Sequence, residues 1–355
     1  MHRSDTSSRN PRRRSLLALV ASVVAFGLVG FANLQPAAAQ KKYELKIATV
    51  APDKTPWADL LKKYKLAVEA ASGGRIKVRI FLGGTMGDEN ETVRMTARGE
   101  ISGVGASTGA VASLVEELMA IEIPFMFKDA KEADYVLDKF LLAPMEEAFK
   151  AKGLVLVMWS ENGFRHFGAN FPIAKPSDLK NKKMRSQESF PHIEMWKALK
   201  ASASAIPTTE VTTALKTGSV QGFDQALLYM VAGAWHSSIT HMTVSAHIYQ
   251  PAVITFNKAW FDDLPPDLQK IVIDEGRKIV RSGRSAIRKM NPALVKIIKS
   301  AGVQISTLSD AQRAEFVKMT AGVNAKVKGR STAVKATVEL IEAGLIEYRA
   351  KAKKK

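Results

Sequence analysis

From Tyr43 onward, strand-like and helix-like stretches take turns along the chain, and this alternation constrains the fold more than any other feature of the 355 residues. YELKIATV, beginning at Tyr43, alternates apolar and polar residues as a half-buried strand does. The next stretch, Trp57 to Ala71, sets Leu60, Leu61, Tyr64 and Val68 on one helical face before Ser72-Gly73-Gly74 stops it. IKVRIFL is a second strand, Asp88 stands where a helix cap belongs, Gly99 ends that helix, and SGVGAS is a third strand of small residues. Strand, helix, strand, helix at this spacing predicts an α/β fold built on a parallel sheet with helices on both faces.

The pattern continues with two helices, Ala130 to Leu142 and Met145 to Lys152, and with LVLVMW as a buried strand ending before Glu161. VQGFDQ is a further strand end. Helical spacing runs from Pro265 to Ser300 with no interior proline until Pro292, GVQIST makes one more strand, and Ala311 onward reads as helix to the end. A chain of this length supports about two domains with proper cores.

The first forty residues read as an export signal. A basic leader, MHRSDTSSRNPRRRS, precedes an apolar run from Leu16 to Leu34, and Ala37-Ala38-Ala39 forms a small-residue cleavage site. Cleavage near Ala39 is preferred to an uncleaved anchor, although the apolar run approaches spanning length. Arg13-Arg14 followed by Ser15-Leu16-Leu17 resembles the twin-arginine pattern, so export by the general or the twin-arginine route stays open. The expected location is the periplasm of a bacterium. The chain has no cysteine, which removes disulfides, thiolate metal sites and cysteine nucleophiles.

Formal charge is +18, of which the leader supplies +4, leaving about +14 on the mature chain. Lysine and arginine are spread along amphipathic helices, and the dense run is confined to Lys351, Lys353, Lys354 and Lys355. This distribution suits attraction of anionic solutes or membrane surfaces better than nucleic-acid binding.

Two arginines stand out between Trp159 and Glu188. Arg165 and Arg185 fall at the ends of two predicted strands, separated by Pro172, Pro176 and Ser177-Asp178, which mark a crossover loop with a short helix. In open sheets, ligands sit where loops converge off strand ends. A guanidinium meets both oxygens of a carboxylate at once and stays charged at any relevant pH. An arginine taken blindly is more often a solvated surface charge, so its neighbours must carry the argument.

Enzyme chemistry has little support. The six histidines, His2, His166, His192, His236, His241 and His247, match no zinc spacing. Gly83-Gly84-Thr85-Met86-Gly87 lacks the lysine and hydroxyl of a phosphate loop, and no serine sits in a glycine-flanked elbow. Neither a catalytic residue, a metal site nor a cofactor is expected.

Six runs, taken together and in this order, carry a family likeness: RIKVRIFLGGTMGDENETVRMTARGEISG from Arg75, EIPFMFKDAKEADYVLD from Glu122, GLVLVMWSENGFRHF from Gly153, SDLKNKKMRS from Ser177, IPTTEVTTALKTGSVQGFDQ from Ile206 and FNKAWFDDLPPDLQKIV from Phe256. The chain from Tyr43 to its last helix resembles the solute-binding proteins of tripartite ATP-independent periplasmic (TRAP) transporters, the DctP family. The resemblance implies a two-lobed periplasmic binding protein fold, a clamshell joined by crossing strands and a long helix and closing over one organic anion. Residues 40–160 would form mainly the first lobe, 161–250 mainly the second, and 251–355 would return to pack on both.

By motif match, Arg165 of GFR and Arg185 of the K-x-R run would contact the substrate carboxylate. The family's pocket asparagine falls on Gln225 and the acidic residue before it on Asp224. Here Gln221 replaces the usual aspartate before the glycine and Asp224-Gln225 replaces Glu-Asn, and the extra methylene of Gln225 should reshape the side of the pocket that reads the rest of the ligand. On the first lobe Trp57, Ser107 and Thr108 follow strands and are candidate contacts, with Glu89 at the cleft rim. Phe190, Thr208 and Tyr229 are candidate walls. The implied partners are a small organic acid and the small and large membrane subunits of a TRAP transporter, with a monomer as the expected state. An ATP-driven importer component, a sensor's binding protein, a secreted enzyme on the same scaffold and a polyanion-binding protein remain as alternatives.

Overall fold

The computed structural model describes residues 41–353, so the signal peptide and cleavage site expected at residues 1–39 lie outside them. The compact unit begins at Tyr43. Among the described residues it has nine strands, β1 (Tyr43–Ala48), β2 (Ile76–Phe81), β3 (Gly103–Ser107), β4 (Leu154–Ala169), β5 (Lys183–Ser186), β6 (Ser202–Ala205), β7 (Gly222–Ala226), β8 (His241–Asn257) and β9 (Gln304–Thr307). They form one sheet ordered β2-β1-β3-β8-β4-β7-β5-β6, with β9 paired to β8.

The sheet is mixed, whereas the alternating pattern predicted a parallel one. β1 runs parallel to β2 and β3, and β5 parallel to β6 and β7. Between these blocks, β8 runs antiparallel to both β3 and β4, and β4 antiparallel to β7. β4 has 16 residues and β8 has 17. At about 3.3 Å per residue each spans roughly 50 Å, too far for one small sheet, so the pair serves both halves.

The predicted strand end before Glu161 is therefore absent. β4 continues through Glu161, Asn162 and Gly163, with a register shift against β8 between Glu161 and Gly163 and another between Arg165 and Phe167. Gly163 adopts φ +103, a conformation that side chains on Cβ disfavour, which is why the bulge carries glycine. Arg165 sits inside the crossing strand instead of at its end.

Apolar side chains collect on both faces. On one face, Leu45, Trp57, Phe223, Met230 and Met242 pack with Leu268, Val272 and Ile287 of the long helix Pro266–Ser300. A Cβ at Gly276 would lie 2.8 Å from Val157, and one at Gly283 would lie 2.9 Å from Leu60. The helix thus lies close against β4 and the helix Pro56–Ala71, and it continues through Pro292. On the opposite face, one cluster includes Val104, Phe149, Tyr249 and Ile341, and another includes Phe167, Met184, Trp196 and Phe316.

Helix ends follow local chemistry in part. Thr55 accepts from Ala58 N–H to cap Pro56–Ala71, and Gly99 closes Glu89–Arg98 at φ +78. Asp88 precedes that helix but makes no side-chain cap; its Oδ1 accepts from Thr209 N–H at 3.3 Å instead. The tail is three helices, Asp310–Thr320, Gly322–Lys328 and Thr332–Ala352, where the sequence predicted one.

Candidate functional site

Where the crossing strands pass from one half of the sheet to the other, buried polar side chains replace the apolar core. Arg165 is the centre of this layer, fully buried. Asp224, on the neighbouring β7, accepts from Arg165 Nε at 2.5 Å through Oδ2 and from Nη2 at 2.5 Å through its backbone carbonyl. The other edge of the guanidinium meets only neutral acceptors. Nη1 donates to Oε1 of Gln250 at 2.7 Å, Gln225 at 3.0 Å and Gln187 at 3.2 Å.

Burial pushes the Asp224 carboxyl upward, but Arg165 beside it, with His192 and His247, outweighs burial and holds it well below the ordinary range. His247 Nε2 lies 3.3 Å from Asp224 Oδ2, and His192 Nε2 lies 2.5 Å from Glu122 Oε2. Gln250 Nε2 donates to that same Glu122 oxygen at 3.1 Å. Arg165 is thereby fixed from behind by a charged, buried support.

Arg185 is held differently. It is 1% exposed, donates through Nε to the Ile206 carbonyl at 2.9 Å, and lies over the Trp235 ring at 5.4 Å. Its Nη2 reaches Thr208 Oγ1 at 3.5 Å, while Nη1 is buried without a hydrogen-bond partner. Burial, with Arg165 nearby, pushes its pKa down to about 10, so it stays charged at neutral pH.

These groups surround a small cavity of about 10 Å³, lined by Val50, Glu89, Ser107, Asn162, Gln187, Thr208, Gln225, Tyr229 and Gln250. That is room for about one water, so the cleft is closed on its own side chains. The first half of the sheet contributes Val50, Glu89 and Ser107. Glu89 Oε1 accepts from Ser107 N–H at 2.7 Å and Oε2 from its hydroxyl at 2.8 Å. Burial, with Asp88 beside it, pushes the Glu89 pKa up to about 7. Gln187 Nε2 then donates to Ser107 Oγ at 2.8 Å, tying one half to the other.

Of the residues expected from sequence, Gln225, Ser107, Thr208 and Tyr229 line this cavity, while Arg165 and Arg185 stand one contact behind it, bonded to its lining residues Gln187, Gln225 and Gln250 and to Thr208 respectively. Asp224 stands behind Arg165. Trp57 is buried and donates through Nε1 to Asn162 Oδ1 at 3.1 Å, one residue removed from the cavity. Thr108 points elsewhere, bonding Glu122 and the Pro251 carbonyl. Phe190 packs in the apolar cluster with Arg330 over its ring at 4.8 Å. Gln187 and Gln250, both in contact with Arg165, are absent from the sequence expectations, because a lone glutamine carries no spacing signal.

Known proteins show the same architecture. The family description "Bacterial extracellular solute-binding protein, family 7" (DctP) matches residues 47–329. A solute-binding protein of Verminephrobacter eiseniae is 31% identical over 82% of this chain and 86% of its own. The Escherichia coli 2,3-diketo-L-gulonate-binding periplasmic protein YiaO is 24% identical over 72% of this chain and 77% of its own. Among solved structures, the sugar acid binding protein DctPAm from Advenella mimigardefordensis, in complex with galactonate, superposes with a TM-score of 0.81 at 26% identity, covering 86% of this chain and 99% of that one.

Proposed function

Because the chain belongs to the bacterial extracellular solute-binding proteins of family 7, the periplasmic DctP family of TRAP transporters, we propose that its cleft captures a hydroxylated monocarboxylate, such as a sugar acid. The observation that carries this reading is the imbalance of charge around two buried guanidinium groups. Arg165 has Asp224 on one edge and three exchangeable amide oxygens on the other, and Arg185 has a buried Nη1 with no acceptor at all. A carboxylate entering between them would displace neutral acceptors and satisfy an orphaned donor, exchanges that favour an anion strongly in a low-dielectric site.

The remaining lining favours hydroxyls on the ligand body. Asn162, Ser107, Thr208, Tyr229 and Gln225 all donate or accept, Val50 alone is apolar, and Glu89 titrates near neutrality, so it can donate or accept. Gln225 Oε1 is taken by Arg165 and by Ala226 N–H at 2.9 Å, leaving its NH2 to meet a ligand acceptor.

Capture would work by population shift. The two halves open about the β4 bulge at Glu161–Gly163 and the facing part of β8, the arginines take the carboxylate, and Glu89 and Ser107 complete the site on closure. The closed form then docks on the small and large membrane subunits. Cleavage near Ala39 would free the mature chain in the periplasm, where we expect a monomer. Native mass spectrometry of protein taken from the periplasm without refolding tests the reading: a retained small polyhydroxy anion supports it, and a retained neutral or cationic solute contradicts it.

A further inference from the structure

A second cavity, about 690 Å³, lies between the long helix Pro266–Ser300 and β4, with Asp134, Asp138 and Leu142 at its side. Its volume is in the range of small-molecule sites, and the cleft does not share its lining. The floor is apolar, made by Val157, Met158 and Trp159 of β4 with Leu142 and Val280. Around it stand Arg277, Arg281, Arg284, Arg288 and Lys289, against two carboxylates, Asp134 and Asp138.

Those carboxylates are already saturated. Arg284 grips Asp138 through both Nη atoms at 2.8 and 2.9 Å, and Arg288 grips Asp134 at 2.6 and 2.7 Å. Arg277 pairs with Glu146 outside the groove. Arg281 and Lys289 are exposed and make no ion pair among the described residues. Three buried donors along the groove also lack partners: Trp159 Nε1, Arg284 Nε and Arg288 Nε, with Trp159 only 2% exposed. Buried donors left unpaired are costly, and here every one of the three calls for an acceptor.

We infer that this groove is a second ligand site, for a small organic carboxylate with an apolar body, such as a medium-chain fatty acid. The carboxylate takes Arg281 and Lys289 at the rim, where two cations stand unneutralised, and its oxygens are the only acceptors such a ligand brings to the donors of the groove. The hydrocarbon covers Trp159 and Val157. This ligand is the opposite of the one the cleft suits, since most of the floor, Leu142, Val157, Met158 and Val280, offers a hydroxyl no partner. The groove also bears on the crossing strand: Trp159 is two residues before Glu161, whose Oε2 lies 2.5 Å from Arg288.

Calorimetry with octanoate on the intact mature protein, its cleft first saturated with the co-purified anion or with galactonate, tests the site. Octanoate should bind, 1-octanol should bind at least about tenfold more weakly because it lacks the charge, and octanoate should quench tryptophan fluorescence less in Trp159→Phe. The double variant Arg281→Ala/Lys289→Ala, which breaks no ion pair, should weaken octanoate at least about tenfold while cleft affinity and melting temperature stay unchanged. Absence of octanoate binding, equal binding of octanol, competition with the cleft ligand, or an unaffected double variant would each overturn the assignment. Arg165→Ala should leave octanoate binding intact, so failure of the cleft reading is told apart from failure of this one.

Discussion

Asp224 Oδ2 lies 2.5 Å from Arg165 Nε with both side chains buried, whereas Arg185, equally buried, has no carboxylate within salt-bridge distance among the described residues. The two arginines thus differ in what the fold has already given them. One is a neutralised pair whose second edge is held only by neutral amide oxygens at the cleft, and the other is a buried cation awaiting a counter-charge.

The difference predicts opposite effects on stability. Arg165→Met leaves Asp224 buried without its guanidinium partner, with only His192 and His247 beside it, and should cost about 3–5 kcal/mol of folding stability. Arg185→Met removes an uncompensated charge and should leave the ligand-free protein as stable as wild type or more so. Both should weaken ligand binding more than about a hundredfold. Thermal melts paired with calorimetry check this; equal destabilisation by both variants would contradict the account.

Glu89 should make stability depend on pH. Its folded pKa of about 7 lies above the ordinary 4.5, so its contribution is fully present below pH 4.5 and is lost as pH rises to about 7. The loss is on the order of 3 kcal/mol, since a tenfold change in proton affinity is worth about 1.4 kcal/mol. His166 acts in the opposite sense: burial holds it down to about 3, so its contribution is present above 6.5 and is lost as pH falls toward 3. Urea melts of wild type and Glu89→Gln from pH 4 to 8, compared by difference, cancel the His166 effect. The variant should lack the falling limb, and an identical pH profile would remove Glu89 from the account.

Gln225 should help set which acid is preferred. Gln225→Asn shortens the wall by one methylene, loses the contact with Arg165 Nη1 at 3.0 Å, and enlarges the ligand end of the cavity. Relative affinity should move toward longer acids by roughly tenfold, the usual worth of a methylene in a pocket. Titrations with erythronate and galactonate measure the ratio, and an unchanged ratio would place Gln225 outside specificity.

Much of the architecture is legible in the residues, and the failures have physical causes. The small-residue strand at Gly103–Ser107 and the αL glycine at Gly99 follow from local rules. The course of β4 does not, because Ser160-Glu161-Asn162-Gly163 looks like a loop in any polarity pattern. It remains strand since its backbone pairs with β8 while its polar side chains turn into a buried polar layer. Arg165 therefore reaches the cleft from within a crossing strand and not from the strand end that the polarity pattern predicts. Gln187 and Gln250 reach Arg165 only through tertiary pairing of distant segments, and no local pattern encodes that. The tail divides at Ala321 and at Gly329-Arg330-Ser331, where Ser331 caps the last helix by accepting from Val334 N–H, a start signal present in the sequence itself.

The central claim is that a carboxylate is held between Arg165 and Arg185. Calorimetry of ligand-stripped wild type against galactonate and against galactitol, which keeps the hydroxyls and lacks the charge, tests it most directly. The account predicts that galactonate binds and galactitol binds at least about a hundredfold more weakly, with the gap closing in Arg185→Met. Comparable affinity for the two in the wild type, or a gap that survives in Arg185→Met, would contradict it.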